Sequence, residues 1–216
     1  MGTPISIADA YAVVGLPQRA VVPSDFAQYV TPELPDGALV ADLEAGVGHD
    51  AVYFAQQGHE VSAFGCARPA LEQLGRLARR DGLAITPYWL LLDESRRAER
   101  IGRQLSPERP WFYSRSLVGG LSPAERANLW RFSRAALVGR GVFHLEFAAA
   151  RRRRPTAVRP DGVRLEAAQA RLDPHDVWRE IRASGGLVDC LEVLATPEDP
   201  AVCRIRARWP RGRLAA

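Results

Sequence analysis

A glycine-containing turn between an apolar run and an amphipathic segment is the part of this chain best suited to binding chemistry. Residues 38–50 read Ala-Leu-Val-Ala-Asp-Leu-Glu-Ala-Gly-Val-Gly-His-Asp, so an apolar run containing Asp42 meets a turn that holds Gly46 and Gly48. Glycine lets the backbone approach a ligand closely and adopt positive φ. The helix predicted to begin near Asp50 would direct its unpaired N–H groups into the same space. This order of strand, turn and helix forms a nucleotide-sized pocket in α/β sheets, although ordinary βα turns also show it.

The elements that must position this turn follow from the alternation of apolar runs and helical periodicity. Strands are predicted over residues 38–43, 60–64, 85–92, 111–114, 142–148, 187–195 and 202–209. Helices are predicted over residues 7–14, 50–57, 69–80, 94–105, 123–137 and 174–184. Strictly alternating strands and helices require a mainly parallel sheet with helices on both faces. The last two strands suit an antiparallel hairpin, and Pro87 favours an edge position or an irregular entry for the third strand.

The composition is that of an ordinary soluble globular protein. The chain has 216 residues, of which 47% are hydrophobic and 25% charged, enough for one substantial domain with a buried core. We expect residues 1–36 to form an N-terminal extension that packs on a domain over residues 37–216. The sequence contains neither an apolar run that could span a membrane nor a signal pattern, which favours the cytoplasm.

Charge and cysteine usage exclude several kinds of site. All 29 basic residues are arginine, so a lysine nucleophile or Schiff base is excluded. The four arginines at residues 151–154 lack the interleaved aromatic residues of nucleic-acid-binding segments; they are interpreted as a solvated loop or as a contact with an anionic partner. Cys66, Cys190 and Cys203 form no C-x-x-C pair and predict neither a disulfide framework nor a zinc site.

Four stretches, at residues 40–50, 113–121, 143–147 and 198–204, resemble in this order the class I S-adenosylmethionine-dependent methyltransferases. Residues 40–50 are similar to that family's first motif, V-L-D-L-G-C-G-x-G-x-D. Residues 113–121 resemble the segment Y-[SA]-R-F-F-L-H-A-I of one bacterial subgroup. Residues 143–147 resemble its fifth strand, G-x-L-x-x-E-F-R, and residues 198–204 its terminal E-D-P-x-x-x-R. The resemblance covers roughly residues 37–209 and implies a Rossmann-like fold.

The resemblance also implies which residues surround the cofactor, S-adenosylmethionine. Asp93 follows the third strand, where an acidic or polar residue commonly contacts the adenine amino group; the alternative is a helix N-cap. Arg115 ends the fourth strand and would hold the cofactor or an anionic substrate; the alternative is a surface ion pair. The full set of implied cofactor-binding residues is Asp42, Glu44, Gly46, Gly48, Asp93, Ser114 and Arg115.

The sequence departs from the family's pattern at four positions. Glu44 replaces the first glycine of the motif, where the family's backbone approaches the methionyl moiety. Its carboxylate would repel the cofactor's carboxylate but could pair with the amino group or the sulfonium. Gly65 stands where the family has the acid that binds both ribose hydroxyls, a loss of charge-assisted hydrogen bonds of roughly 1.5–3 kcal/mol each. Gly119 and Ala148 replace a histidine and an arginine of the subgroup.

No catalytic residue is assigned from the sequence. Methyl transfer depends on alignment of two reactants and exclusion of water, and a base is needed only when the acceptor has a proton to lose. His49, in the glycine turn, is either such a base or a simple turn residue. The sequence contains no metal-binding constellation.

Two functional hypotheses remain. The first is a methyltransferase that uses S-adenosylmethionine to modify a small molecule or a glycan, and the retained Asp42 and Arg115 favour it. The second is a non-catalytic methyltransferase-like protein that has lost S-adenosylmethionine binding and serves as a partner or scaffold subunit, which Glu44 and Gly65 favour. We place the first ahead. A cyclase-like activity without methyl transfer is not separable from these by sequence.

Overall fold

The fold is described from a computed structural model. It covers residues 22–93, 95–139, 141–150, 170–195 and 201–211. Three predicted features lie outside these ranges. They are the helix at residues 7–14, the run of four arginines and the turn after residue 195.

Seven strands form one sheet in the described residues. They are β1 (Leu39–Leu43), β2 (Glu60–Gly65), β3 (Ile85–Trp89), β4 (Trp111–Arg115), β5 (Val142–Ala148), β6 (Leu187–Leu194) and β7 (Val202–Arg208). Their order is β3-β2-β1-β4-β5-β7-β6. The first five strands pair in parallel, and β7 is antiparallel to both β5 and β6. The predicted fold class, a mostly parallel seven-stranded sheet with an antiparallel C-terminal pair, is therefore confirmed.

Helices cover both faces of this sheet. They are α1 (Asp25–Val30), α2 (His49–Gln56), α3 (Arg68–Asp81), α4 (Ser95–Leu105), α5 (Leu117–Gly120), α6 (Pro123–Leu137) and α7 (Pro174–Ala183). One core lies under α1, α2 and α3 and includes Phe54 and Val40. The other lies under α4, α6 and α7 and includes Phe132 and Ala41. Successive residues of β1 thus enter opposite cores, as the alternation of side chains along a strand requires.

Local signals explain where several elements begin and end. Ser122 starts α6 with a capping box: its hydroxyl accepts from the N–H of Glu125, and the Glu125 carboxylate accepts from the N–H of Ser122. Pro87 lies in β3, which pairs with β2 alone and forms an edge of the sheet. That position tolerates a residue without an N–H and agrees with the sequence-based expectation.

Two short helices have no counterpart in the sequence predictions. α1 begins after Ser24, whose hydroxyl accepts from the N–H of Ala27. α5 reads Leu-Val-Gly-Gly, a sequence of poor intrinsic helix propensity. β3 also ends at Trp89, three residues earlier than predicted. Within the described ranges, no helix is long and apolar enough to cross a membrane.

Candidate functional site

A cavity of about 450 Å³ opens at the carboxyl ends of β1, β2 and β4. Its lining comes from the segments that follow β1, β2, β3 and β4 and from α5 and α6. Parallel sheets place their ligand sites at this edge, because the strand ends and the helix N-termini converge there. The volume is within the range of small-molecule sites.

The glycine turn after β1 forms one side of the cavity in a left-handed backbone conformation. Glu44, Gly46 and Gly48 have φ angles of 70°, 57° and 88°. Glu44 and Gly46 line the cavity, whereas Gly48 is buried behind it. A Cβ atom at Gly48 would lie 2.5 Å from Leu74 Cδ1 on α3. Gly48 is therefore required for packing and backbone conformation, and Gly46 leaves the cavity wall free of a side chain.

Asp50, in the first turn of α2, is the centre of a buried hydrogen-bond network. Its Oδ2 accepts from Tyr113 Oη at 2.8 Å and from Ser24 Oγ at 2.9 Å, and its Oδ1 accepts from the Ser24 N–H at 2.8 Å. Arg115 Nε lies 3.3 Å from Oδ2. The Asp50 side chain is 8% exposed and the Arg115 side chain 47%. This network fixes the end of β4, the start of α2 and the segment before α1 relative to one another.

Tyr113 acts in this network as a hydrogen-bond donor. Burial, followed by the nearby carboxylates of Asp50 and Asp42, raises the pKa of the Tyr113 hydroxyl far above its usual range. The hydroxyl therefore keeps its proton at all physiological pH values and orients the Asp50 carboxylate toward Arg115.

The cavity lining has an excess of acidic over basic side chains. Asp42 is 3% exposed, and burial together with the carboxylates of Asp50 and Glu44 raises its pKa well above the ordinary value; Arg115 offsets this in part. Asp50 and Glu125 also line the cavity, so four acidic side chains face one arginine. Buried carboxylates without an equal number of cations favour a positively charged ligand.

Glu44 reaches from the glycine turn to the end of β2. The thiol of Cys66 donates to Glu44 Oε1 at 3.3 Å. Burial raises the pKa of Glu44, and hydrogen bonds from the thiol and backbone of Cys66 partly oppose that effect. Burial and the Glu44 charge raise the pKa of the Cys66 thiol to about 11. Cys66 is therefore a protonated donor at neutral pH rather than a nucleophile.

The seven predicted cofactor-binding residues separate into two groups. Asp42, Glu44, Gly46 and Arg115 meet in the cavity lining. The remaining three, Gly48, Ser114 and Asp93, lie outside it. Ser114 is buried and donates to the Leu43 carbonyl at 3.2 Å, which ties β4 to β1. Asp93 is exposed and lies four residues beyond the end of β3.

The apolar walls of the cavity include residues that sequence reasoning did not assign to a site. Phe64 and Leu90 lie on the β2 and β3 side, and Leu117 and Leu129 lie on the side of α5 and α6. Leu117 belongs to the short helix that the sequence did not predict. The apolar pattern that places Leu129 on a helix gives no signal for which end of the sheet it approaches.

His49 also lines the cavity, as its position in the glycine turn allowed. Its Nε2 is buried and has no hydrogen-bond partner among the described residues. The described residues include no group of three His, Cys, Asp or Glu side chains that could hold a metal ion.

Comparisons with known proteins identify the fold. No protein-family model matches the sequence, and no curated protein is similar to it. The glycopeptide N-methyltransferase MtfA complexed with S-adenosyl-L-methionine superposes with a TM-score of 0.62 at 19% identity, over 87% of this chain and 93% of that chain. A Burkholderia thailandensis 1,6-didemethyltoxoflavin-N1-methyltransferase with bound S-adenosylhomocysteine gives a TM-score of 0.60 at 19% identity, over 86% and 76%.

A third similar structure is the [4+2]-cyclase SpnF, with a TM-score of 0.63 at 13% identity, over 86% of this chain and 80% of that chain. At these identities the similarity establishes the fold. The chain has the fold of S-adenosylmethionine-dependent methyltransferases, and the cyclase has the same fold.

Proposed function

We propose that this protein is an S-adenosylmethionine-dependent methyltransferase that acts on a small molecule or a glycan. The observation that carries the proposal is the acidic cavity at the carboxyl end of the sheet, where buried Asp42 and Asp50 face a single arginine, Arg115. S-adenosylmethionine carries a sulfonium and an ammonium against one carboxylate. Its net positive charge therefore suits a lining with an excess of carboxylates.

The residues present fit such a cofactor in charge and in shape. Gly46 offers a bare backbone of positive φ for close approach, and Asp42 and Glu44 offer acceptors for an ammonium or for hydroxyl groups. Arg115 is the cation that can pair with a carboxylate. Gly48 and Ser114 are proposed to act indirectly, by fixing the turn and the spacing of β4 from β1.

Asp93 is retained as a proposed adenine contact, although it is exposed and outside the cavity lining. S-adenosylmethionine, when bound, supplies a methyl group on a sulfonium for in-line displacement. The apolar residues Leu117 and Leu129 would exclude water and confine the acceptor beside that group. Where the acceptor carries a proton, His49 is the proposed base, because it is the histidine of the cavity lining.

The proposed substrate class follows from the solved structures that share the fold. The similar solved structures include methyltransferases for a glycopeptide and for a toxoflavin precursor. These support an acceptor among small molecules and glycans, and we propose neither a nucleic acid nor a membrane as partner. The subgroup resemblance supports a bacterial protein, and we propose the cytoplasm as its location.

Calorimetry with S-adenosylmethionine and S-adenosylhomocysteine tests the proposal. We expect dissociation constants in the micromolar range, which corresponds to a binding free energy of about −8 kcal/mol. S-adenosylmethionine should bind more tightly, because it carries one more positive charge into the acidic cavity. Asp42→Asn is expected to reduce that preference, since it removes a buried carboxylate. Absence of heat with folded protein at high concentration would reject the proposal.

A second candidate is the non-catalytic partner or scaffold protein, and Glu44 is the observation that favours it. A carboxylate stands in the glycine turn where methyltransferases have no side chain, and Gly65 removes the acid from the end of β2. Under this alternative, the Glu44 carboxylate serves a contact with a partner protein. Its replacement by glycine would then weaken that complex or lower stability without creating affinity for S-adenosylhomocysteine.

A further inference from the structure

β2 ends without the side chain that nucleoside-binding α/β proteins place there. In the dinucleotide-binding version of this fold, an acid about 20 residues beyond the glycine turn accepts a hydrogen bond from a ribose hydroxyl. The equivalent region here is the end of β2, where Gly65 pairs with Trp89 of β3. Gly65 lines the cavity but offers no acceptor in its side chain.

Glu44 supplies a carboxylate at this same place from a different strand. Its Oε1 lies 3.3 Å from the Sγ of Cys66, the residue that directly follows Gly65. The turn that carries Glu44 is held against β2 by the N–H of Ala45, which donates to the carbonyl of Phe64 at 2.8 Å. The carboxylate therefore crosses from the end of β1 to the end of β2.

The position of the Glu44 carboxylate depends on contacts that hold Cys66 and on the backbone conformation of Glu44 itself. Trp89 Nε1 donates to the carbonyl of Cys66 at 3.0 Å, and the guanidinium of Arg68 lies 3.9 Å from the Trp89 ring centroid. These contacts hold the backbone of Cys66, whose thiol in turn orients Glu44. Glu44 itself has a φ of 70°, a strained conformation for a side chain other than glycine, and strain of this kind is typical of functional positions.

We propose that Glu44 is the ribose-binding carboxylate of this protein, relocated from the second strand to the glycine turn. The inference rests on the proposed function and names a role for Glu44 within that site. The two ribose hydroxyls donate to the Glu44 carboxylate, and Cys66 keeps that carboxylate at the wall of the cavity rather than in its centre. The protein therefore selects ligands with an intact vicinal diol.

Calorimetry on four variants of the ribose-binding position, one control variant and two nucleoside probes tests this role. The variants are Glu44→Gln, Glu44→Gly, Gly65→Asp and the double variant Glu44→Gly/Gly65→Asp. A Cβ at Gly65 would lie 3.4 Å from Leu71 Cδ2, an ordinary contact, so the Cβ of an aspartate fits there. The probes are 5′-methylthioadenosine and its 2′-deoxy derivative, which differ in one ribose hydroxyl. S-adenosylhomocysteine is titrated in parallel.

The wild type should bind the diol probe about 10- to 100-fold more tightly than the deoxy probe, the range expected for a hydrogen bond to a charged group. Glu44→Gln and Glu44→Gly should lose most of that preference and weaken S-adenosylhomocysteine binding by a similar factor. The double variant should recover both to within about threefold, because Gly65→Asp returns the carboxylate to the second strand. Glu125→Gln, which removes a different charge from the cavity, should keep the diol preference.

Contrary outcomes separate this role from the proposed function. If the wild type binds S-adenosylhomocysteine and Glu44→Gly binds it equally or more tightly, the role of Glu44 is wrong and the methyltransferase proposal stands. The same follows if the diol preference persists in both Glu44 variants. If the folded wild type binds none of the ligands, the proposed function is rejected and the role of Glu44 with it.

Discussion

Glu44→Gly should stabilise the protein while it weakens nucleoside binding, because Glu44 is a non-glycine residue in left-handed backbone with φ 70°. Such a conformation costs about 1–2 kcal/mol, which glycine avoids. Glycine also increases the conformational freedom of the unfolded chain, and this offsets about 0.5–1 kcal/mol of that stabilisation. The hydrogen bond from the Cys66 thiol is lost, and a buried carboxylate is removed as well.

These contributions leave a net stabilisation of about 1 kcal/mol near neutral pH. For a chain of this size, that difference raises the melting temperature by roughly 2–4 °C. The gain should depend on pH in a definite direction. Burial raises the pKa of Glu44 in the folded state above its unfolded value, so the folded state binds the proton more tightly. Ionisation of Glu44 therefore destabilises the fold as pH rises from the unfolded-state pKa through the folded-state pKa of this group. Below about pH 4 it has no such effect.

The assay is thermal unfolding followed by circular dichroism at pH 7.5 and at pH 4.5. Glu44→Gly should raise the melting temperature more at pH 7.5 than at pH 4.5, since the charge that the substitution removes is fully present only at the higher pH. Ser116→Gly is the matched control, because Ser116 has a φ of 71° but no ionisable group. The rise in melting temperature of this control should be the same at both pH values. A lower melting temperature for Glu44→Gly at pH 7.5 would show that the contacts of the carboxylate outweigh backbone strain and would refute this reasoning.

Three further perturbations test the packing and charges around the site. Gly48→Ala combines a φ of 88° with a Cβ 2.5 Å from Leu74 Cδ1. It should lower the free energy of unfolding in urea by roughly 1–3 kcal/mol. An unchanged urea midpoint would contradict the packing role of Gly48. Tyr113→Phe removes the hydroxyl that donates to Asp50 at 2.8 Å; it should cost about 1–2 kcal/mol in the same assay, and a neutral effect would show that the network is not stabilising. His144 is buried, and burial lowers its pKa to about 4. Above the unfolded-state pKa of about 6.5, His144 is neutral and its burial carries no charge penalty. As pH falls from about 6.5 toward 4, the unfolded state takes up the proton first and the folded state loses stability. His144→Phe should therefore show a shallower fall in melting temperature over this interval, and an identical slope would exclude His144 as the titrating group.

Much of the architecture was predictable because it depends on local periodicity. The apolar runs and helical spacings placed all seven strands and five of the helices to within a few residues, and Pro87 favoured an edge position or an irregular entry for β3, which is an edge strand. Ser122 and Glu125 form the capping box at the start of α6, a pattern of four consecutive residues that is visible in the sequence. The two short helices α1 and α5 were missed because neither is long enough to show a period, and α5 contains two glycines.

The sequence also determined that the chain has a glycine turn after a buried strand, and hence that Asp42 and Gly46 border a pocket at the carboxyl edge of the sheet. Only the tertiary structure decided what Glu44 contacts. The order of residues allowed its carboxylate to face Arg115, a second protein or the cofactor. The pairing of β1 with β2 brought it to Cys66, 22 residues away, at the wall of the cavity. Similarly, Asp50 gained Ser24 as a partner 26 residues before it. Backbone periodicity is a property of neighbouring residues, whereas such contacts depend on which strands become adjacent when the two cores form.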